Sequence, residues 1–198
     1  MVRPSLWSST PVPHIMSAFD GDLQLIQAKI SEMGGLAEEL LAQSIEAVQR
    51  RDVELAGEVI ARDKALDRME AELEQLSVRT LALRQPMAVD LRETVAALKI
   101  ASTLERIGDL AKSTARRAQI LAQSRPISLV NPVVRMGRQT LVQLTEVLDA
   151  YTARDTALAV SVWRRDIEID ETYNSLFREL ITYMMEDPRT IGMCSQLM

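Results

Sequence analysis

Two pairs of carboxylate side chains have the residue types and the spacing to do chemistry. Asp63 and Asp67 are four residues apart, and so are Glu105 and Asp109. Residues four apart on a helix project from the same face, one turn from each other. Each pair continues a stripe of apolar residues, so that the stripe begins apolar and becomes acidic midway. Carboxylates on such a stripe repel one another and resist burial unless a cation neutralises them.

Long helices are the elements that must position these pairs. Apolar residues recur at steps of three and four, which predicts helices, and prolines at 86, 126 and 188 separate them. Asp52 and Asp155 are predicted to cap the helices that follow them. Trp163, which falls on an apolar position, is expected in the core. The predicted helices span residues 22–50, 53–83, 87–122, 132–153 and 156–185.

Folding the second helix back on the third brings the two acidic pairs together. About a turn near residue 85, Asp67 comes beside Glu105, and Asp63 comes beside Asp109. Four carboxylates then converge from two helices. Oxygen ligands alone favour Mg²⁺, Ca²⁺, Mn²⁺ or iron over copper or zinc. Salt bridges are the alternative, because nearby basic side chains could neutralise the same acids. These are Arg62, Arg68, Arg106 and Lys112.

The chain also repeats itself. At an offset of 103, residues 33–73 match residues 136–176 at many positions, and the acidic pair Asp63 and Asp67 recurs as Asp166 and Asp170. The pattern predicts an all-α tandem of two antiparallel three-helix bundles, in which the second bundle lacks most of its last helix. The predicted division is a flexible tail over 1–15, a first unit over 16–124 and an incomplete second unit over 125–198.

Composition excludes several classes of protein. Aromatic residues make up 4% of the chain, with seven glycines and seven prolines, which argues against a β-sandwich or barrel. A net charge of −5 argues against nucleic-acid binding through phosphate contacts. The single cysteine, Cys194, excludes a disulfide framework and a cysteine-based zinc site. The single histidine, His14, excludes histidine-rich metal sites and a Ser-His-Asp triad on the body of the chain. A reducing, cytoplasmic location is the default expectation.

Several segments together closely resemble the PhoU family, over about residues 14–190. The most specific is Leu-Glu-Arg-Ile-Gly-Asp at 104–109, placed after a proline turn. The other matching segments are 14–20, 33–38, 83–93, 98–100 and 186–189.

The resemblance implies a function. It implies a cytoplasmic negative regulator of the phosphate-starvation (Pho) response and of phosphate uptake, often dimeric and only peripherally associated with the membrane. The implied partners are PstB, the ATPase subunit of the phosphate transporter, and PhoR, the sensor histidine kinase. Its implied cofactors are Mg, Mn or Fe ions bound through pairs of Glu/Asp-x-x-x-Asp motifs. No enzymatic activity is implied.

The resemblance implies, residue by residue, which side chains bind metal. They are Glu105 and Asp109, the facing pair Asp63 and Asp67, and the second-unit pair Asp166 and Asp170. Ser113 is a possible additional ligand.

The chain departs from the family pattern in three ways. Thr103 replaces an aspartate and Ser113 replaces an asparagine, which removes potential oxygen ligands. The second Glu-x-x-x-Asp helix, expected at positions 207 and 211, lies beyond residue 198. Asp166 and Asp170 are therefore expected to face no partner. Apolar surface left open on the last two long helices predicts lower stability or oligomerisation.

Two other functions compete with the regulatory adaptor. A carboxylate-bridged metal enzyme is disfavoured, because di-iron bundles use Glu-x-x-His pairs and His14 is the only histidine. The second is a structural dimerisation module in which the truncation has removed metal binding and regulation. A rise in melting temperature on adding metal would argue against this module.

Overall fold

The computed structural model of this chain describes residues 13–84, 89–125 and 128–198, and these residues form helices without any strand. None of the helices in this part is long and apolar enough to cross a membrane. The helices are α1 (Pro13–Arg50), α2 (Val53–Arg84), α3 (Val89–Ala122), α4 (Val130–Ala153), α5 (Thr156–Glu186) and α6 (Ile191–Leu197), with a 3₁₀ turn over Pro188–Thr190 between α5 and α6.

The five predicted helices are confirmed, but two of them begin earlier than predicted. α1 begins at Pro13 rather than at residue 22, since Gly21 lies inside the helix without ending it. The predicted tail is therefore wrong for residues 13–15, and residues 1–12 lie outside the described part. α4 begins at Val130, because Pro132 falls in the first helical turn, where a missing N–H costs nothing.

Helices α1, α2 and α3 form an antiparallel bundle. Lys29 of α1 pairs with Glu72 of α2 at 2.6 Å, and Glu39 pairs with Arg62 at 2.6 Å, which fixes the antiparallel register of these two helices. Aliphatic side chains from all three helices and from α4 fill one continuous core. Its fully buried members include Ile30, Met33, Leu40, Val59, Leu66, Leu73 and Ala111.

Helix α4 packs antiparallel against α1 through two glycines that are equivalent in the repeat. A Cβ on Gly34 would lie 2.9 Å from Leu148, and a Cβ on Gly137 would lie 3.0 Å from Ile45. Gly34 and Gly137 are related by the offset of 103, and so are Ile45 and Leu148. Each unit therefore buries an aliphatic side chain against the glycine of the other, which gives the α1–α4 contact approximate two-fold symmetry.

The second unit repeats the contacts of the first. Arg165 of α5 bonds Glu146 of α4, and its counterpart Arg62 bonds Gln43 of α1 at 3.1 Å. The short helix α6 begins at Ile191, which is offset from Val89, the start of α3, by the same 102 residues as Pro188 from Pro86. α6 thus stands where the counterpart of α3 would begin.

One face of the second unit carries exposed apolar side chains, as predicted. Val160, Trp163 and Ile167 lie along one face of α5, and Trp163 is 75% exposed. The expectation that Trp163 belongs to the core is wrong. Its counterpart Ile60 packs against the core of the first unit, where α3 covers α2.

The turns between paired helices are built alike in both units. Arg51 and Arg154 adopt left-handed conformations, with φ of 58° and 55°. The aspartates that follow them accept hydrogen bonds from the first turn of α2 and of α5, so the predicted caps Asp52 and Asp155 are confirmed. Arg51 also binds the C-terminal end of α3, because its guanidinium donates to the carbonyls of Leu121 and Ala122 in the last turn of that helix and of Ser124 beyond it.

These two turns predict opposite responses to glycine. Arg154→Gly relieves left-handed strain of roughly 1 kcal/mol and loses only an exposed ion pair, so it should leave the free energy of unfolding unchanged or raise it slightly. Arg51→Gly relieves the same strain but removes charge-assisted hydrogen bonds worth about 1.5–3 kcal/mol. Urea unfolding should therefore show a loss for Arg51→Gly alone, and equal effects would contradict this role of its guanidinium.

Candidate functional site

The candidate site lies between α2 and α3 and is centred on the buried carboxylate of Asp63. This side chain is 1% exposed. Its Oδ2 accepts a hydrogen bond from Nζ of Lys112 on α3, at 2.5 Å. Its Oδ1 is buried without a hydrogen-bond partner among the described atoms. A carboxylate so placed is stable as an anion only because an adjacent charge compensates its lost hydration.

Lys112 bridges carboxylates from both helices. Its Nζ lies 2.5 Å from Oδ2 of Asp63 and 3.2 Å from Oδ1 of Asp109, one turn earlier on α3. The hydrogen bond to Asp63, followed by the one to Asp109, raises the pKa of Lys112 above its ordinary value. The ammonium is therefore held in its charged form between two of the four predicted acids.

Glu105 and Asp67 make the second half of the acidic cluster. Burial raises the pKa of the half-buried Glu105, and the negative charges of Asp109, Glu70 and Asp67 raise it further. The charge of Asp67 thus acts on its predicted neighbour Glu105 across the α2–α3 interface. We define the acidic cluster as Asp63, Asp67, Glu70, Glu105 and Asp109.

Gly108 allows the close approach of the two helices at this cluster. A Cβ at this position would lie 2.5 Å from Cδ2 of the fully buried Leu66 and 3.3 Å from Oδ1 of Asp63. Glu105 and Lys112 lie about one turn before and one turn after Gly108 on α3, so close contact at the glycine brings both side chains near α2. A glycine inside a long helix, which sequence propensity disfavours, is explained by this contact.

The other predicted ligands differ in their burial. Ser113 is half-buried on α3, next to Lys112. Asp166 and Asp170 are exposed on α5. Across the part of the chain that the structure describes, no three acidic, histidine or cysteine side chains are grouped so that they could hold a metal ion.

The oxygens of these acids are of the type that hard cations prefer, but the ammonium of Lys112 lies between two of them. Carboxylate oxygens are the ligands that Mg²⁺ and Ca²⁺ prefer, and Oδ1 of Asp63 is free to accept. Oδ2 of the same residue is taken by Lys112. Of the basic residues considered as neutralisers from the sequence, Arg62 turns instead to Glu39 and Gln43 of α1.

Two features of the site region were missed by the sequence analysis. Glu70 joins the cluster one turn after Asp67, and its place on the acidic stripe was the available signal. The other is a largely apolar groove of about 820 Å³, lined by residues of α1, α3, α4 and the start of α5. Its walls include Ile26, Ile100, Leu104 and Leu148. Apolar periodicity alone does not reveal such a groove, because it arises from the angle between packed helices.

Substitutions of two glycines by alanine test the close approach. Gly108→Ala places a methyl group against Leu66 and should cost about 1–3 kcal/mol by overpacking. Gly57→Ala, in the interior of α2, meets only Nε2 of Gln119 at 4.0 Å and should gain up to about 1 kcal/mol from helix propensity. Chemical denaturation of both variants measures the difference, and a neutral Gly108→Ala would contradict the contact.

The model of the PhoU domain matches this chain over residues 30–118 and 133–197. The PhoU homolog of Caulobacter vibrioides strain NA1000, described as a phosphate-specific transport system accessory protein, is 49% identical over 186 residues, covering 93% of this chain and 81% of the relative. The corresponding Escherichia coli K12 protein is 38% identical, over 90% of this chain and 74% of its own length.

Solved structures give the same result. The crystal structure of PhoU from Pseudomonas aeruginosa superposes with a TM-score of 0.88 at 37% identity, covering 90% of this chain and 86% of that one. That of the phosphate transport system regulatory protein PhoU from Streptococcus pneumoniae gives 0.80 at 25% identity, over 90% and 87%. Sequence and fold agree along nearly the whole chain, which is therefore a member of the PhoU family.

Proposed function

We propose that this chain is a cytoplasmic regulatory accessory protein of a phosphate transport system. The carrying observation is the match to transport accessory proteins over 93% of the chain, which includes both repeat units. Relatives bearing the name PhoU are described as accessory or regulatory proteins, and this supports a regulator rather than an enzyme. The finer role is negative regulation of the phosphate-starvation (Pho) response and of phosphate uptake.

The proposed mechanism is docking rather than catalysis. The helical body would bind the transporter ATPase subunit, PstB, and the sensor histidine kinase, PhoR, at the membrane surface. By holding both, it would bias the kinase away from its active state when phosphate is ample. The polar site of the body supports this assignment, because two of its carboxylates, Asp63 and Asp109, are paired with Lys112 rather than with a nucleophile–base pair.

A metal ion is a further part of the proposal. Asp63, Asp67, Glu105 and Asp109 would hold Mg, Mn or Fe at the acidic cluster, with Ser113 as a possible additional ligand. The buried Oδ1 of Asp63, which has no hydrogen-bond partner, supports this assignment. The ion would supply positive charge to the α2–α3 interface. In the second unit, Asp166 and Asp170 would become ligands only when another acidic helix faces them.

Expression in a bacterium that lacks its own PhoU tests the regulatory role. We expect the chain to restore repression of alkaline phosphatase in high phosphate, as an intact PhoU relative does in parallel. Circular dichroism and gel filtration of the same product establish that it is folded. Continued derepression by a folded, soluble chain would contradict the proposal and favour the structural dimerisation module.

We also propose that the chain forms a homodimer, and the exposed apolar face of α5 supports this. Ile167 is 61% exposed on this face, whereas Val78 is 55% exposed on α2. If two copies cover each other's α5, Ile167→Glu should weaken self-association about tenfold or more by burying a charge, whereas Val78→Glu should leave it unchanged. Sedimentation velocity measures both variants, and equal dissociation constants would exclude α5 as the contact.

A further inference from the structure

One continuous segment of this chain is basic, although the chain as a whole is acidic. Residues 110–145 hold one lysine and five arginines and no aspartate or glutamate, whereas the whole chain has a net charge of −5. The segment runs through the C-terminal part of α3 and the N-terminal part of α4. All the acidic residues of the protein therefore lie outside this segment, and positive charge is concentrated within it.

The two helical parts of the segment lie at the same end of the molecule. The guanidinium of Arg51, in the turn between α1 and α2, donates to the carbonyls of Leu121 and Ala122 in the last turn of α3. Arg138 of α4 donates to the side-chain oxygen of Gln49, in the last turn of α1, at 2.5 Å. The end of α1 therefore connects the end of α3 to the N-terminal part of α4.

The arginines at this end are open to a partner. Arg116, Arg125 and Arg135 are exposed, and none of the three has an ion pair or a hydrogen-bonded side-chain partner among the described residues. We define the basic end as Arg116, Arg117, Arg125, Arg135 and Arg138.

Nearby carboxylates leave the side formed by α3 and α4 positive. Glu46 pairs with Arg50 at 2.8 Å, Asp187 pairs with Arg189 at 2.9 Å, and Asp52 caps α2. The other acidic residues near this end lie on α2 and α5, whereas the basic end lies on α3, α4 and the connection between them. These acidic residues are Glu54, Glu58, Glu179 and Glu186.

Aliphatic side chains lie among the charges at this end. Ile120, one turn after Arg116 on α3, is 48% exposed, and Val53, in the first turn of α2, is 49% exposed. Anionic lipid headgroups attract arginines held near them, and aliphatic side chains between the arginines enter the boundary of headgroups and acyl chains. A nucleic acid offers negative charge as well, but it offers no apolar layer to these aliphatic side chains.

We propose that the basic end is a docking surface for a membrane rich in anionic lipids. The inference deepens the proposed function and rests on it, because that function brings the protein next to a membrane. The acidic cluster lies further along α2 and α3, so a protein standing on its basic end keeps these carboxylates away from the headgroups. The lipid itself then helps to hold and orient the regulator.

Flotation with lipid vesicles tests the proposal. The full chain is mixed with vesicles of phosphatidylglycerol and phosphatidylcholine in equal parts, or of phosphatidylcholine alone, at low and at high salt. We expect binding to the anionic vesicles to be about tenfold or more tighter than to the neutral ones, and to weaken at high salt because salt screens exposed charges. Equal binding to both vesicles, or none to either, overturns the proposal.

Charge reversal locates the surface. Arg125→Glu combined with Arg135→Glu should weaken binding to the anionic vesicles about tenfold or more, since two attractive charges become repulsive. Arg79→Glu combined with Arg164→Glu is the matched control, because it changes the net charge equally at exposed positions outside 110–145, and it should bind as wild type. Circular dichroism checks that both double variants are folded. Equal binding by the two overturns the proposal.

Ile120→Ser distinguishes a membrane from another polyanion. It removes apolar surface without changing charge, so it should weaken vesicle binding about threefold. Double-stranded DNA should not bind the chain. Vesicle binding that does not respond to Ile120→Ser, or DNA binding that is lost on reversal of Arg125 and Arg135, overturns the membrane as the partner.

These readouts are separate from the repression assay, because the vesicles carry neither PstB nor PhoR. Repression without vesicle binding would retain the regulatory assignment and overturn the lipid contact. Vesicle binding without repression would support the lipid contact and remove the regulatory assignment.

Discussion

The buried carboxylate of Asp63 is the constraint on which the α2–α3 interface depends. A charge removed from water must find a compensating charge inside the protein, and breaking such a pair costs about 3–5 kcal/mol. Lys112 meets this need because Gly108 lets α3 approach α2 closely enough for the ammonium to reach Oδ2. The fully buried Leu66 packs at the same glycine, where a Cβ would lie 2.5 Å from its Cδ2. The same close approach of α2 and α3 at Gly108 therefore allows both the packing of Leu66 and the ion pair between Lys112 and Asp63.

The two units of the repeat share most of their local contacts, but they differ in how well their helices are covered. Both units share the left-handed arginine, the aspartate cap and the arginine–carboxamide or arginine–carboxylate contact between paired helices. They also share the reciprocal packing of Gly34 and Gly137. Only α1 and α2 are covered by a long third helix in the described residues, so the equivalent face of α5 keeps Trp163 and Ile167 in solvent.

Much of this could be predicted from sequence, because periodicity records which side of a helix is buried. Spacing and antiparallel folding account for the helix order and for the caps at Asp52 and Asp155. The choice of Lys112 rather than Arg62 as the neutralising cation did not follow, since it depends on side-chain reach within one helical turn. The prediction for Trp163 was wrong because it was made from the equivalent residue Ile60. Ile60 is covered by α3, whereas no long helix of the described residues covers Trp163.

The contrast between the two acidic pairs explains when such a site needs a cation at all. Asp166 and Asp170 have the spacing of Asp63 and Asp67, but they remain hydrated on α5, so their charges cost little. Asp63 differs because α3 removes its water. An aspartate pair of this spacing therefore needs a nearby cation only when another helix covers it and excludes water. Any helix that covers α5 must bring a compensating charge of its own, as α3 brings Lys112, or must share a bound ion with the aspartates beneath it.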